Sequence, residues 1–134
     1  MRDLQLLGTL GTGTFGKVRL CRHIPTNTYY CVKILSKERV IHLKQQAHVQ
    51  NEKWVLSNCN HPFIVKLYAT FQDDQLLYFV MDYVPGGELF TLIRSAGRLP
   101  AKAARFYAAE IVLALQYLHN FNMCVVRRSS YVCR

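Results

Sequence analysis

The sequence has no stretch of about 18 uncharged apolar residues, so it offers no membrane-spanning helix. Its start, Met1-Arg2-Asp3-Leu4, lacks the apolar core of a secretory signal. The two absences lead us to expect a cytoplasmic or nuclear protein. No C-x-x-C occurs among Cys21, Cys31, Cys59, Cys124 and Cys133, and no His pair completes a zinc set. The cysteines, odd in number and scattered, read as free reduced thiols with no metal site. Acidic residues are scarce: 8 Asp and Glu face 17 Lys and Arg, a net charge of +9. Such an excess suits a nucleic-acid partner when it is clustered. Here it is spread from Arg2 to Arg134 with no stripe interleaved with aromatics. A solvated basic surface that attracts phosphates or acidic peptides fits better, and no nucleic acid is expected. Repeats and low-complexity tracts are missing too.

What remains is one ordinary domain, or part of a larger one, at 134 residues. A hydrophobic share of 51% is enough for a core, and 19% charged residues argue against disorder. Leu4 to Leu10, Val18 to Ile24 and Tyr29 to Leu35 read as strands, with the turn cluster Pro25-Thr26-Asn27-Thr28 before the third. Ser36 has the chemistry of an N-cap. The broken apolar stripe from there to Asn58 suits one short helix and one longer helix, stopped before His61-Pro62. Val65 to Phe71 and Leu76 to Val84 predict two more strands around the polar Gln72-Asp73-Asp74-Gln75 turn. Pro85-Gly86-Gly87 then breaks the chain. Glu88 to Ser95 predicts a short helix stopped by Gly97. Pro100 to Asn120 predicts a long one, with Tyr107, Ile111, Ala114, Leu115 and Leu118 on one face. Strands first and helices last predict an α+β unit followed by the start of a helical one.

The residues with the clearest chemical signal are Gly11-Thr12-Gly13-Thr14-Phe15-Gly16-Lys17-Val18 and, further on, Val32-Lys33-Ile34. Glycines at 11, 13 and 16 let a backbone approach a phosphate closely and take φ > 0. A G-x-G-x-x-G run alone also fits a dinucleotide-binding turn or a plain glycine-rich hairpin. The dinucleotide turn opens a helix and has an acidic residue about 20 positions on. Here the run continues into Lys17-Val18-Arg19-Leu20, which reads as strand and favours a hairpin over a phosphate. Lys33 lies inside an apolar strand pattern, where a cation needs an anionic partner. Glu52, on the longer predicted helix, is a candidate.

Taken with His48-Val49-Gln50-Asn51-Glu52-Lys53, His61-Pro62-Phe63, Met81 through Phe90, and Phe106 through His119, these motifs resemble the AGC-group Ser/Thr protein kinases. Within that group the pattern is most similar to cyclic-AMP-dependent catalytic subunits and their X-linked relatives. It runs without gaps from residue 1 to about residue 123. The resemblance implies a kinase N-lobe over residues 1–84, a five-stranded antiparallel sheet with two helices. It implies the hinge exit and first helices of a C-lobe over 85–123, and leaves 124–134 as a divergent tail.

It also implies roles. Gly11 to Gly16 would lie over ATP phosphates with Phe15 at the tip, and Leu10 just before them belongs to the nucleotide-binding set. Val18 and Cys31 would cap adenine, where the family usually has alanine at the second position. Lys33 would hold phosphate and Glu52, and Met81 would be the gatekeeper. The backbone of Asp82, Tyr83 and Val84 would bond adenine, and Glu88 would reach ribose or a basic peptide residue. Lys17 and the two loop threonines, Thr12 and Thr14, belong to the same set.

Past about residue 123 the resemblance lapses. Where the family carries its catalytic loop and Asp-Phe-Gly, this sequence reads Met123-Cys124-Val125-Val126-Arg127-Arg128-Ser129-Ser130. No catalytic residue and no metal ligand is assigned. The expectation is a truncated kinase domain, inactive alone, that binds ATP weakly and without Mg²⁺. Mg²⁺ would matter only in a full-length relative. Two alternatives stand beside it: part of an active Ser/Thr kinase that acts on basic-context Ser/Thr, or a non-catalytic decoy. Arg127-Arg128-Ser129-Ser130 would then make Ser130 a substrate for an active cyclic-AMP-dependent kinase.

Overall fold

Two short connections turn the first half of the chain into a sheet. Thr14 and Phe15 alone separate β1 (Leu4–Gly13) from β2 (Gly16–His23), with Gly13 opposite Gly16. The next turn leads into β3 (Thr28–Ser36) and places Asn27 at φ 56°, a left-handed conformation that Asn tolerates well. The computed structural model describes residues 3–120. After β3 come α1 (Lys37–His42), α2 (Gln46–Asn58), β4 (Leu67–Gln72), β5 (Leu76–Asp82), α3 (Leu89–Ala96) and α4 (Ala101–Asn120). The five strands form one antiparallel sheet in the order β1-β2-β3-β5-β4. This is the α+β architecture expected of a kinase-like N-lobe followed by helices.

The local chemistry accounts for the junctions. Ser36 caps α1, its Oγ accepting the Arg39 N–H at 3.3 Å. Lys44 at φ 53° separates α1 from α2, which is why the apolar stripe is broken there. In the β4–β5 turn the Asp73 carboxylate accepts the N–H groups of Gln75 at 2.9 Å and Leu76 at 2.7 Å, and the Tyr78 hydroxyl at 2.7 Å. Tyr78 first, then the two N–H groups, hold that carboxyl below its ordinary range.

Strand register divides the sheet into two faces, since directly opposed residues share a side. Cys21, Val32, Ile34 and Val80 are buried together on one face, with Leu6, Tyr30, Ala69 and Tyr78 packed around them. Val18, Leu20, Cys31, Lys33, Leu35, Phe79 and Met81 alternate onto the other.

The chain divides into two units, residues 1–58 with 66–83 and residues 59–65 with 84–134. In the second, the Asn60 N–H donates to the Tyr117 hydroxyl at 2.9 Å, and the His61 ring lies 5.0 Å from that of Tyr117. Gly97 at φ 73° follows the last residue of α3, a conformation glycine takes without strain. The buried residues of α4 are Ala114, Leu118 and, unexpectedly, Glu110. Helical spacing had assigned that stripe to apolar residues alone. Among the described residues no helix is long and apolar enough to cross a membrane.

Candidate functional site

Lys33 sits in the middle of β3, opposite Val18 on β2 and Phe79 on β5. Its Nζ donates to Glu52 Oε1 at 2.6 Å, and the two side chains are 21% and 22% exposed. Both are sheltered enough for a firm ion pair and open enough to meet a ligand. Helix α2 sets this up: it buries Val49 and Leu56, and Glu52 falls three residues after one and four before the other, on the same side. The Lys33–Glu52 partnership inferred from the sequence is thus an ion pair of the structure.

One pair along the strands from Lys33, Cys31 is opposite Leu20 and Met81. Met81 is buried and Cys31 half-buried. The Cys31 thiol donates to the Asp82 carbonyl at 3.1 Å. Burial, then Cys21 and the Asp82 carboxylate, push this thiol up to about 11, so at neutral pH it stays protonated and donates.

The glycine run is a hairpin, as its continuation into strand indicated, but its glycines do not take the φ > 0 expected of them. Positive-φ glycines among the described residues are Gly86, Gly87 and Gly97. Gly11, Gly13 and Gly16 are therefore not there for left-handed φ, because β1 keeps its pairing to the turn and needs no reversal before it. Gly16 is needed for close approach instead. A Cβ at that position would overlap the Ile34 carbonyl oxygen on β3. The Phe15 carbonyl accepts the Ser36 N–H at 2.9 Å, so the far side of the hairpin is tied to β3. Phe15 is accordingly half-buried, whereas Thr12, Thr14 and Lys17 are exposed. A Cβ at Gly11 or Gly13 would meet no atom within 4 Å. Leu10 lies in the register shift between Thr9 and Gly11 and is exposed.

The structure thus gathers Val18, Cys31, Lys33 and Met81 on one sheet face, with Glu52 paired to the lysine. Asp82 and Tyr83 end the first unit; Val84 and Glu88 belong to the second, Glu88 as the exposed N-cap of α3. Among the described residues no three His, Cys, Asp or Glu side chains cluster as metal ligands would.

Sequence reasoning missed the Asp82 side chain. It lies on the opposite face of the sheet from its neighbour Met81, 8% exposed, where Oδ2 accepts the Lys66 N–H at 3.0 Å and Oδ1 accepts the Tyr68 hydroxyl at 2.8 Å. The Asp82 N–H donates to the Lys66 carbonyl at 3.0 Å, and the Tyr68 ring packs edge-on against Tyr30 at 4.9 Å. An acidic residue closing the apolar run Leu76 to Met81 was the available signal.

Chemically, an apolar wall of Val18, Cys31 and Met81 suits a flat base, and an ammonium fixed by a carboxylate suits an anion. The description "protein kinase domain" matches residues 4–128. Over 120 residues, 90% of this chain, the sequence is 48% identical to cAMP-dependent protein kinase type 3 of Saccharomyces cerevisiae, covering 30% of that protein. It is 47% identical over 127 residues, 95% of the chain, to the cAMP-dependent protein kinase catalytic subunit of Schizosaccharomyces pombe, covering 25% of it. It is 50% identical over 120 residues, 90% of the chain, to cAMP-dependent protein kinase catalytic subunit PRKX of Mus musculus, covering 34% of it. The chain spans about a quarter to a third of the length of these relatives.

Proposed function

The chain belongs to the protein kinase family, and from that premise we propose that these residues are the nucleotide-holding part of a cyclic-AMP-dependent-type Ser/Thr kinase, without phosphotransfer of their own. The observation that carries the reading is the 2.6 Å Lys33–Glu52 pair on the face that Val18, Cys31 and Met81 line. ATP fits those residues: the open space at Gly11 and Gly13 lets phosphate oxygens approach backbone N–H groups, and Lys33 supplies a fixed cation. Val18, Cys31 and Met81 would bury the adenine faces. Mg²⁺ in kinases is held by an Asp and an Asn of later motifs, for which this sequence has no match.

Calorimetry tests the reading. Adenosine is expected to bind within roughly an order of magnitude of ATP, with Mg²⁺ changing little. Lys33→Ala is expected to weaken ATP by about threefold to tenfold and leave adenosine almost unchanged, because only ATP presents an anion to the ammonium. Tight, Mg²⁺-dependent ATP binding would contradict it.

In a longer chain that continues the kinase sequence, the same residues would present ATP for transfer to Ser or Thr in a basic context. The intact mass of the endogenous protein separates the cases. A decoy role is favoured by one sequence observation, Arg127-Arg128-Ser129-Ser130, which lies outside the described residues. Planar guanidinium forks suit bidentate recognition by carboxylates in a kinase cleft. Incubation with an active cyclic-AMP-dependent kinase is expected to place phosphate on Ser130, read by mass spectrometry. An unmodified Ser130 beside a phosphorylated control peptide removes the decoy reading.

A further inference from the structure

The cationic excess of the sequence has a stretch where nothing offsets it. Between Glu88 and Glu110 the chain carries Arg94, Arg98, Lys102 and Arg105 and no acidic residue. All are exposed, and among the described residues none of them meets a carboxylate. Glu110 is buried, at 5% exposure, so it does little to neutralise the surface around them. The start of α4 adds shape to that charge. Pro100, Lys102, Ala103, Phe106 and Tyr107 line an open groove of about 400 Å³, within the roughly 300–1,000 Å³ of ligand clefts. Ala103 makes a low floor, because its side chain is a single methyl. Phe106 and Tyr107, three and four residues on, stand over the same part of the helix, their rings edge-on at 5.8 Å. Phe106 is 61% exposed, an aromatic ring left in water. Lys102 and Arg105, three residues apart, are neighbours on its outer flank.

We propose that this groove docks an acidic linear peptide of a partner protein. One aromatic or branched aliphatic side chain of the peptide enters over Ala103, between Phe106 and Tyr107, and Asp or Glu beside it face Lys102 and Arg105. The apolar side chain supplies the anchor, and the carboxylates supply the orientation and the approach. A nucleic-acid backbone or a lipid headgroup would satisfy the cations and leave the apolar floor empty. None of these residues belongs to the nucleotide-holding set.

Fluorescence anisotropy of a labelled Glu-Glu-Asp-Phe-Asp-Glu-Glu peptide with the full chain tests this. Binding is expected to weaken about fivefold or more when the peptide's phenylalanine is alanine, and about tenfold or more when its carboxylates are lysines. Lys102→Glu with Arg105→Glu is expected to weaken it about tenfold or more, Lys102→Gln with Arg105→Gln about threefold, and Phe106→Ala about fivefold. Thermal unfolding midpoints equal to that of the unmodified chain confirm the fold of each variant. If the glutamate pair does not fold, the glutamine pair decides. Absence of binding, equal binding of the phenylalanine and alanine peptides, or binding unchanged in the charge variants overturns the proposal. Displacement of the peptide by lower charge-equivalent concentrations of a single-stranded oligonucleotide or of phosphatidylserine vesicles also overturns it, since the cations would then serve phosphate.

Discussion

The 134-residue chain, mixed with Mg²⁺, ATP and an arginine-rich serine peptide, is expected to leave the peptide unphosphorylated. Active protein kinases turn over at about 1–100 s⁻¹, so the contrast is large against a background of none. Transfer needs an aspartate to accept the hydroxyl proton, and an Asp and an Asn to place Mg²⁺ against the phosphates. By the resemblance, the catalytic-base position would fall near Arg127 or Arg128. A guanidinium stays protonated and has no acceptor to offer. Holding ATP is not enough, since without an oriented nucleophile the transfer step lacks most of its positioning advantage. Labelled-ATP assays check this. Turnover that survives removal of contaminating kinases and disappears in Lys33→Ala would show that the chain carries its own catalytic centre.

Gly16→Ala is expected to be the most damaging of the three single changes in the glycine run. Its Cβ would land on the Ile34 carbonyl oxygen, and main chain cannot swing aside as a flexible side chain can. Strands β2 and β3 must separate locally, against the Phe15–Ser36 bond that ties the turn to β3. Overpacking of this kind costs about 1–3 kcal/mol, and a backbone obstacle belongs at the upper end. Gly11→Ala and Gly13→Ala meet open space at ordinary φ. They are expected to be neutral or stabilising by up to about 1 kcal/mol through the unfolded chain. Urea midpoints of the three variants decide it: equal losses at all three positions would mean that the Ile34 contact does not govern this hairpin.

Where local chemistry decides an element, it was legible in advance. The strand runs, the Ser36 cap and the split of the helical stretch follow from β-branched content, a hydroxyl in the right place and a gap in an apolar stripe. Lys33 and Glu52 were legible as partners because a cation within an apolar strand raises the question of what neutralises it. Features set by neighbours distant in sequence were not. The role of Gly16 depends on Ile34, a residue of another strand, and nothing near the glycine announces it. The buried carboxylate of Asp82 depends on Lys66, just before β4, and on Tyr68 within it. Glu110 breaks the apolar stripe of α4, and spacing arguments pass over a charged residue on a buried side. The shifts of register in β1 around Thr9 have no local marker either, since a bulge needs only one surplus residue.

The interleaving of the two units carries a consequence for how the protein is made. Residues 59–65 are synthesised well before most of the unit they belong to. Asn60 leaves the ribosome 57 residues ahead of the Tyr117 hydroxyl that its N–H meets. At about 5–20 residues per second that interval is roughly 3–11 s. Meanwhile β5 is complete at Asp82 and the sheet can close. The segment then waits, already synthesised and without its ring partner, until α4 emerges. During those seconds a chaperone or a neighbouring nascent chain would meet His61, Pro62 and Phe63 before Tyr117 does.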